Sequence, residues 1–472
     1  MEHTICLLND SFPPVIDGVA NAVENYASNL HNAGDEAIVI TPEYPGADDS
    51  VFPYPVLRYP ALDLRSQTAG YMAGIPFAPD ILRALDGKKP ALLHSHCPIV
   101  STMLGRELRQ VLDVPLIMTY HTKFDVDIAN LIHSRALQEG SKRALLENIS
   151  ACDEVWAVSE GAAENLRSLG YGGECVIMRN GVDLPRGRVS DALIREVTGG
   201  LDLPEDVPLY LFVGRVMWYK GLKITLDALA ALKAAGKDFR MVFVGGGGDF
   251  DAVKAYSESL QLGDKCFFAG SQPDREKLRA WYCRANLFLF PSTFDTNGLV
   301  VREAAACGLG AVLIGGSCAA EGITDGRNGL LIEENAQSMA ACLEKLTIPA
   351  MAAIGSRAQE ELYISWESAV DIARERYEVV IDRYRCGGYP SNRRGMEGVF
   401  RASGELMEGL CRLEERRDAL HRKFADRVHV IRRPDADDHT FRFGRDPAPH
   451  GSGSLRKNLS GASCPENGPG GL

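Results

Sequence analysis

The stretch Pro291-Ser292-Thr293-Phe294-Asp295-Thr296-Asn297-Gly298-Leu299-Val300-Val301-Arg302-Glu303-Ala304-Ala305-Ala306-Cys307-Gly308 decides the fold. It follows the apolar run Leu287 to Phe290, turns through polar residues and a glycine, and enters an Ala-rich segment of high helix propensity. A buried strand feeding a Gly-opened helix is one half of a β-α-β unit. The same alternation extends in both directions. Upstream lie Leu209 to Val213, Met241 to Val244 and Cys266 to Ala269, and downstream Ala311 to Ile314, with helices marked by Leu222, Leu226, Leu229 and Leu232 and by Leu278 and Trp281. Continuous apolar runs separated by helices indicate strands of a parallel sheet covered on both faces.

An earlier set of strands repeats the pattern at Ile5 to Leu8, Ala37 to Thr41, Leu92 to His96, Leu116 to Tyr120 and Val155 to Ser159. Between the first two, Val19, Val23, Tyr26 and Leu30 share one helix face. The chain of 472 residues therefore reads as two doubly wound α/β domains, residues 1–180 and 181–365, since one core seldom organises so much chain. A helix from Trp366 to Tyr384, with Trp366, Val370, Ala373, Tyr377 and Ile381 in one stripe, follows them. Residues 385–446 form a charged helical extension whose helix runs from about Met396 to Val428 and carries Leu406, Leu410, Leu413 and Leu420. Residues 447–472, in which 14 of 26 are Gly, Pro or Ser, are expected to be disordered.

The formal net charge of −12 argues against a general nucleic-acid binder. The only basic excess lies after Tyr384, where residues 385–472 carry 16 basic and 12 acidic groups. Twelve cysteines with no Cys-x-x-Cys pair fit a reduced compartment. The start Met1-Glu2-His3 lacks the basic opening of a signal peptide, and no run is long enough to span a bilayer, so a cytoplasmic protein is expected.

Three places carry chemistry. Ser11-Phe12-Pro13-Pro14-Val15-Ile16-Asp17-Gly18 joins the first strand to its helix, and Gly18 there lets backbone approach an anion. Val213-Gly214-Arg215 ends a strand five positions before Lys220-Gly221 opens a helix, and two cations at that point suit a diphosphate, although the spacing is not that of a Walker A loop. In the opening stretch, Asp295 and Glu303 flank a helix N-terminus that can take phosphate on backbone N–H groups while the acids accept sugar hydroxyls. Read singly, each has a plain alternative as a tight turn, a solvated basic pair, or a cap with a surface acid. His94-Ser95-His96 lacks a third ligand and is read as a strand end near a cleft, with no metal. Val244-Gly245-Gly246-Gly247-Gly248-Asp249 resembles a dinucleotide loop, but Phe250 stands where the third glycine belongs, which leaves a NAD enzyme remote.

In this order, Gly-Arg-x4-Lys-Gly followed some 80 residues later by Asp-x7-Glu-Ala resembles the retaining, two-domain GT-B glycosyltransferases of family 4. Phe12-Pro13-Pro14 with Gly18, Tyr120-His121-Thr122, Asn180-Gly181-Val182-Asp183 and Gly326-Arg327-Asn328-Gly329-Leu330 extend the likeness over residues 1–384. The resemblance implies two Rossmann-like domains facing a cleft, with the Trp366 to Tyr384 helix crossing back onto the first. It implies catalytic roles for His121 and Asp295, a diphosphate held by Arg215 and Lys220, ribose contact by Glu303, and donor contacts from Gly18, Asn297, Gly298, Leu299 and Val300. It implies no cofactor, the co-substrate being a sugar nucleotide such as UDP-glucose. Asp295 departs from the family's usual Glu and is assigned to hold the sugar rather than to act as nucleophile.

Asp-Thr-x-Gly-Leu-Val and Tyr-His-Thr-Lys-Phe are most similar to the branch that glucosylates diacylglycerol. The expected partners are thus a sugar nucleotide and a lipid or carbohydrate acceptor, with peripheral contact at the inner face of the cell membrane through Arg412, Arg416, Arg417, Arg422, Lys423 and Arg427 beside the leucines. A soluble acceptor such as a sugar phosphate or polysaccharide, or a non-catalytic sugar-nucleotide binder, is the alternative.

Overall fold

Seven parallel strands form the first sheet of the computed structural model, which describes residues 3–66, 70–122, 124, 128, 134–295, 298–389 and 397–431. They are β1 (Thr4–Leu8), β2 (Glu36–Pro42), β3 (Val56–Tyr59), β4 (Leu92–Ser95), β5 (Leu116–Tyr120), β6 (Glu154–Ala157) and β7 (Cys175–Ile177), in the spatial order β3-β2-β1-β4-β5-β6-β7. The second sheet holds β8 (Leu209–Val213), β9 (Arg240–Val244), β10 (Cys266–Gly270), β11 (Leu287–Leu289), β12 (Ala311–Ile314) and β13 (Leu330–Ile332), in the order β10-β9-β8-β11-β12-β13. All pairings in both sheets are parallel. Both are doubly wound, and each reverses direction beside its first strand, between β1 and β4 and between β8 and β11. Ligands of open α/β sheets sit off the carboxyl ends of the strands at such points.

Burial explains the order. β1, β4 and β5 in the first sheet and β8, β11 and β12 in the second are almost wholly enclosed, as expected for apolar runs covered by helices on both faces. Edge strands β3 and β7 are half-buried and short, and β3 lies between Pro55 and Pro60, so neither presents a run that stands out in sequence.

Helix α1 (Gly18–Asn32) buries Ala20, Ala22, Val23, Tyr26, Ala27 and Leu30. The long helix α6 (Trp366–Arg385) returns to the same core, where Trp366, Val370, Ala373, Tyr377 and Ile381 join Tyr26, Leu92 and Trp156. Between these helices lie α2 (Val100–Leu112) in the first sheet's layer and α3 (Leu222–Ala234), α4 (Arg275–Arg284) and α5 (Leu299–Ala306) in the second's. The crossings between the two sheets meet side by side: Val182 N–H donates to the carbonyl of Ile364 at 3.0 Å. A Cβ on Gly181 would lie 2.4 Å from Trp366 Cα, so this approach requires glycine.

The last helix, α7 (Glu397–Ile431), divides after Glu415, and contacts join Met1–Glu415 into one unit. In its first part Phe400, Met407 and Cys411 are buried, Met407 and Cys411 in the core of the first sheet, and the Arg106 guanidinium stacks on Phe400 at 3.9 Å. Leu406, Leu410 and Leu413 point outward at 58, 37 and 62% exposure. The face read from sequence as the apolar stripe is therefore the outer one. The side chain of Leu420, and residues 432–472 with the tail expected to be disordered, lie outside the described residues.

Candidate active site

Backbone packing shapes the loop after β8. Gly214 has φ 145° and Gly245 has φ 143°, and a Cβ on Gly245 would fall 1.9 Å from the Gly214 carbonyl oxygen. A Cβ on Gly247 would likewise strike the carbonyl of Val216 at 2.3 Å. Val216 N–H donates to Gly246 O at 2.9 Å, and Trp218 N–H to the Asp249 carboxylate at 2.9 Å. The glycine run that resembles a dinucleotide loop is thus a brace for the segment carrying Arg215 and Lys220.

Lys220 ends a short 3-10 turn, and Gly221, with φ 74°, reverses the chain against Pro291, whose carbonyl oxygen would sit 2.0 Å from a Cβ at 221. This brings the β8 and β11 loops together. Lys220 Nζ donates to Asp295 Oδ1 at 2.6 Å, and Ser292 Oγ donates to Asp295 Oδ2 at 2.6 Å. Lys220 is 8% exposed, and Tyr219 and Phe290 lie with their ring centroids 5.6 and 5.5 Å from Nζ. Arg215 is exposed and has no side-chain partner among the described residues. The site thus holds one paired and one open cation at the second sheet's switch point.

Gly298, with φ 56°, is the N-cap of helix α5 and gives it no side-chain cap. A Cβ there would lie 2.9 Å from Ala319 Cα. The amides of Leu299 and Val300 have no acceptor among the described residues, which leaves this helix start ready for an anion. Asn297 lies outside the described residues. Glu303 sits nearly buried in the following turn and accepts from Tyr282 Oη at 3.0 Å, while Arg275 Nη2 reaches its other oxygen at 3.2 Å. Burial raises the Glu303 pKa, opposed by Arg275 and by the Tyr282 hydrogen bond.

Arg275 also meets Asp183 at 3.1 Å. The Asp183 carboxylate accepts in addition from Trp366 Nε1 at 2.6 Å, Asn21 Nδ2 at 2.8 Å and Asn25 Nδ2 at 3.2 Å. One side chain thereby ties α1, α6 and α4 together and, through Arg275, reaches Glu303.

On the first sheet's carboxyl edge, Asp17 caps α1 by accepting from the amides of Val19 and Ala20, both at 2.8 Å. Gly18 follows with open space where a Cβ would stand. A carboxylate already holds this helix start, so the structure places an acid at the position read from sequence as an anion approach. His121, just past β5, is 7% exposed, and its Nε2 lies 2.9 Å from His96 Nδ1. Burial lowers the His121 pKa to about 4, against the opposing charge of Asp17. His94 is enclosed, with Nδ1 2.7 Å from Tyr377 Oη and Nε2 2.7 Å from Thr119 Oγ1. Among the described residues no three His, Cys, Asp or Glu side chains are grouped to hold a metal; both His94 nitrogens and His96 Nδ1 are hydrogen-bonded, and the two rings pack 4.0 Å apart.

Sequence reasoning gave no role to Ser292, Tyr282 and Arg275, ordinary polar residues in their own elements that no local spacing marks, and it noted Asp183 only as part of the Asn180-Gly181-Val182-Asp183 motif without seeing its many partners.

Two doubly wound sheets, with cations and acids at the switch point of one and a histidine at the carboxyl edge of the other, define a GT-B glycosyltransferase acting on a nucleotide sugar. The models for "Glycosyl transferases group 1" and "Glycosyltransferase Family 4" match residues 195–348 and 16–186. The chain is 27% identical over 398 residues to the sulfoquinovosyl transferase SQD2 of Arabidopsis thaliana, covering 78% of this chain and 71% of that one. It is 30% identical over 316 residues to a D-inositol 3-phosphate glycosyltransferase of Kribbella flavida, covering 61% and 72%. An alpha-monoglucosyldiacylglycerol synthase of Streptococcus pneumoniae matches at 22% over 355 residues, covering 72% and 78%. The crystal structure of Anabaena Alr3699/HepE in complex with UDP superposes with a TM-score of 0.61 at 20% identity, covering 80% and 100%. The chain belongs to the family 4, group 1 glycosyltransferases.

Proposed function

We propose that this glycosyltransferase moves a hexose, glucose, from UDP-glucose to diacylglycerol with retention, forming an α-glycoside. The observation that carries the donor reading is the partly buried Lys220–Asp295 pair beside the open Arg215 and the uncapped start of α5. Phosphate oxygens on Arg215, Lys220 and the amides of Leu299 and Val300 let the leaving diphosphate gather charge against fixed cations and dipoles, where such groups lower the barrier most. Glu303, oriented by Tyr282 and Arg275, accepts from ribose hydroxyls. Asp295, held on both oxygens, is a positioner of the sugar. The diphosphate, rather than an enzyme carboxylate, takes the acceptor proton during attack on the same face.

Two features support a lipid acceptor. Ile16, Leu62, Ile75 and Ile99 are exposed in the segments past the carboxyl ends of β1, β3 and β4, at 95, 56, 37 and 49%, Leu62 on a two-residue strand paired with Ala73–Gly74. Leu406, Leu410 and Leu413 add an outward apolar stripe on α7. No described helix is long and apolar enough to cross a membrane, so this contact is peripheral in the proposal. The acidic balance of residues 1–180 favours the second reading, a soluble sugar phosphate or polysaccharide acceptor.

Mass spectrometry of products from UDP- and GDP-hexoses offered with extracted lipids and soluble sugars tests the reaction. A glucosylated diacylglycerol formed from UDP-glucose is expected, and product only on soluble sugars refutes the lipid acceptor. Flotation of the full chain with vesicles, against a chain carrying Leu406→Ser, Leu410→Ser and Leu413→Ser, tests the contact. Equal flotation of the two removes α7 from the proposal.

A further inference from the structure

We infer that His96 is a positioning residue that fixes His121 as its Nδ1–H tautomer, so that His121 offers the cleft an N–H donor rather than a lone pair. The inference rests on the reading that His121 faces the reacting sugar, and it adds the chemical form in which it does so.

His96 Nδ1 and His121 Nε2 are 2.9 Å apart, and between two neutral imidazoles a single proton occupies that contact. Two arrangements are available. In the first, His96 carries its proton on Nε2, and His121 Nε2–H donates to His96. In the second, His96 Nδ1–H donates to His121 Nε2, and the His121 proton sits on Nδ1. The surroundings distinguish them, because His96 is 1% exposed and its Nε2 is enclosed with no hydrogen-bond partner.

The first arrangement strands an N–H at that nitrogen, which loses the hydrogen bond the donor makes in water and gains none in return. The second leaves only an unused lone pair there, and buried orphan donors are rarer than under-used acceptors. The second is therefore selected.

The rings cannot easily escape this choice by turning. His96 packs on His94 with ring centroids 4.0 Å apart and meets the Tyr26 ring at 5.2 Å. His94 is itself fixed at both nitrogens by Tyr377 and Thr119. Burial holds all three histidines below the ordinary range, which keeps the stack neutral near pH 7.

His121 Nδ1, by contrast, has no partner among the described residues and is not sealed from solvent. A neutral N–H there can bind a sugar hydroxyl or an oxygen gathering negative charge. It cannot accept the proton of an acceptor hydroxyl, which leaves that task to the departing diphosphate.

The test uses the full chain labelled with ¹⁵N-histidine. Long-range ¹H–¹⁵N correlation at neutral pH, assigned by the signals lost in His121→Gln and in His96→Asn, reports which nitrogen is protonated. A pyrrole-type Nδ1 and pyridine-type Nε2 at His121 are expected, and a proton on His121 Nε2 overturns the inference. Turnover provides a second arm. His96→Asn keeps an N–H near the Nδ1 position and should hold kcat within about threefold of the parent, whereas His96→Leu should lose about 10- to 100-fold in kcat with donor KM nearly unchanged. Equal losses in the two variants, or a loss in KM alone, overturn it. If the chain transfers no sugar at all, the functional proposal fails while the spectrum still decides the tautomer.

Discussion

Replacing Lys220 by Met removes the charge opposite Asp295 while keeping most of the buried stem. At an effective dielectric of about 20, two unit charges at the observed 2.6 Å attract by roughly 6 kcal/mol. Desolvation of groups whose side chains are 10 and 21% exposed offsets most of that. Lys220→Met leaves Asp295 charged with only the Ser292 hydroxyl, and Asp295→Asn leaves a buried ammonium, so each should cost about 2 kcal/mol. By thermal unfolding each should lower Tm by roughly 4–8 °C, at about 2–4 °C per kcal/mol. The double variant removes both charges and should fall no further than one single variant, a coupling of about 2 kcal/mol. Strict additivity of the two single losses would falsify the pairing. In the same proteins, transfer from UDP-glucose should drop about 10²- to 10³-fold with Lys220→Met and should not recover in the double variant. Near-parental kcat in Lys220→Met removes this side chain from the diphosphate site.

The buried histidines fix a pH response. Because burial lowers the folded pKa of His121 to about 4, its contribution is present above the unfolded value near 6.5 and is lost as pH falls toward 4. Acid unfolding should therefore be shallower in His121→Gln over that window, and identical profiles would contradict the burial. Glu303 has the opposite sign: its pKa is raised, so ionisation weakens the fold as pH rises past the ordinary carboxylate range. Glu303→Gln should raise Tm at pH 7 by a degree or two relative to the parent while raising the donor KM; a lower Tm with unchanged KM counts against both assignments. Gly181→Ala, whose Cβ meets Trp366 backbone at 2.4 Å, should cost about 2–4 kcal/mol in urea unfolding, and a cost within about 0.5 kcal/mol would mean the two crossings are not packed as described.

The interior strands were readable because each is a run of apolar residues long enough to be enclosed on both faces. β3, β7 and β13 were not, since edge strands of three or four residues leave no run long enough to detect. Lys220 and Asp295 were legible as charged residues at strand ends. Their direct pairing was not, because it depends on Gly221 bringing the β8 turn against Pro291. The glycine run after β9 misled for the same reason: what a glycine lets approach is decided by a neighbouring strand, here the carbonyls of Gly214 and Val216. On α7, leucine periodicity identified a helix but not which side faces the protein. The inner side is set by Phe400, Met407 and Cys411 against the first core.

The meeting of residues 180–183 with Trp366 has a mechanical consequence. Both covalent crossings between the sheets run through one hydrogen-bonded point, and Asp183 pins α1 and α4 to it. A joint with its two straps side by side resists sliding, and Glu321, which accepts from Glu160 N–H at 2.7 Å and meets Arg179 at 3.0 Å, adds a second tie between the two halves. Anyone exchanging donor-binding halves between relatives to change sugar preference must therefore move residues 180–183, Arg275 and Trp366 as one cassette. A chimera cut between them inherits half of a pin.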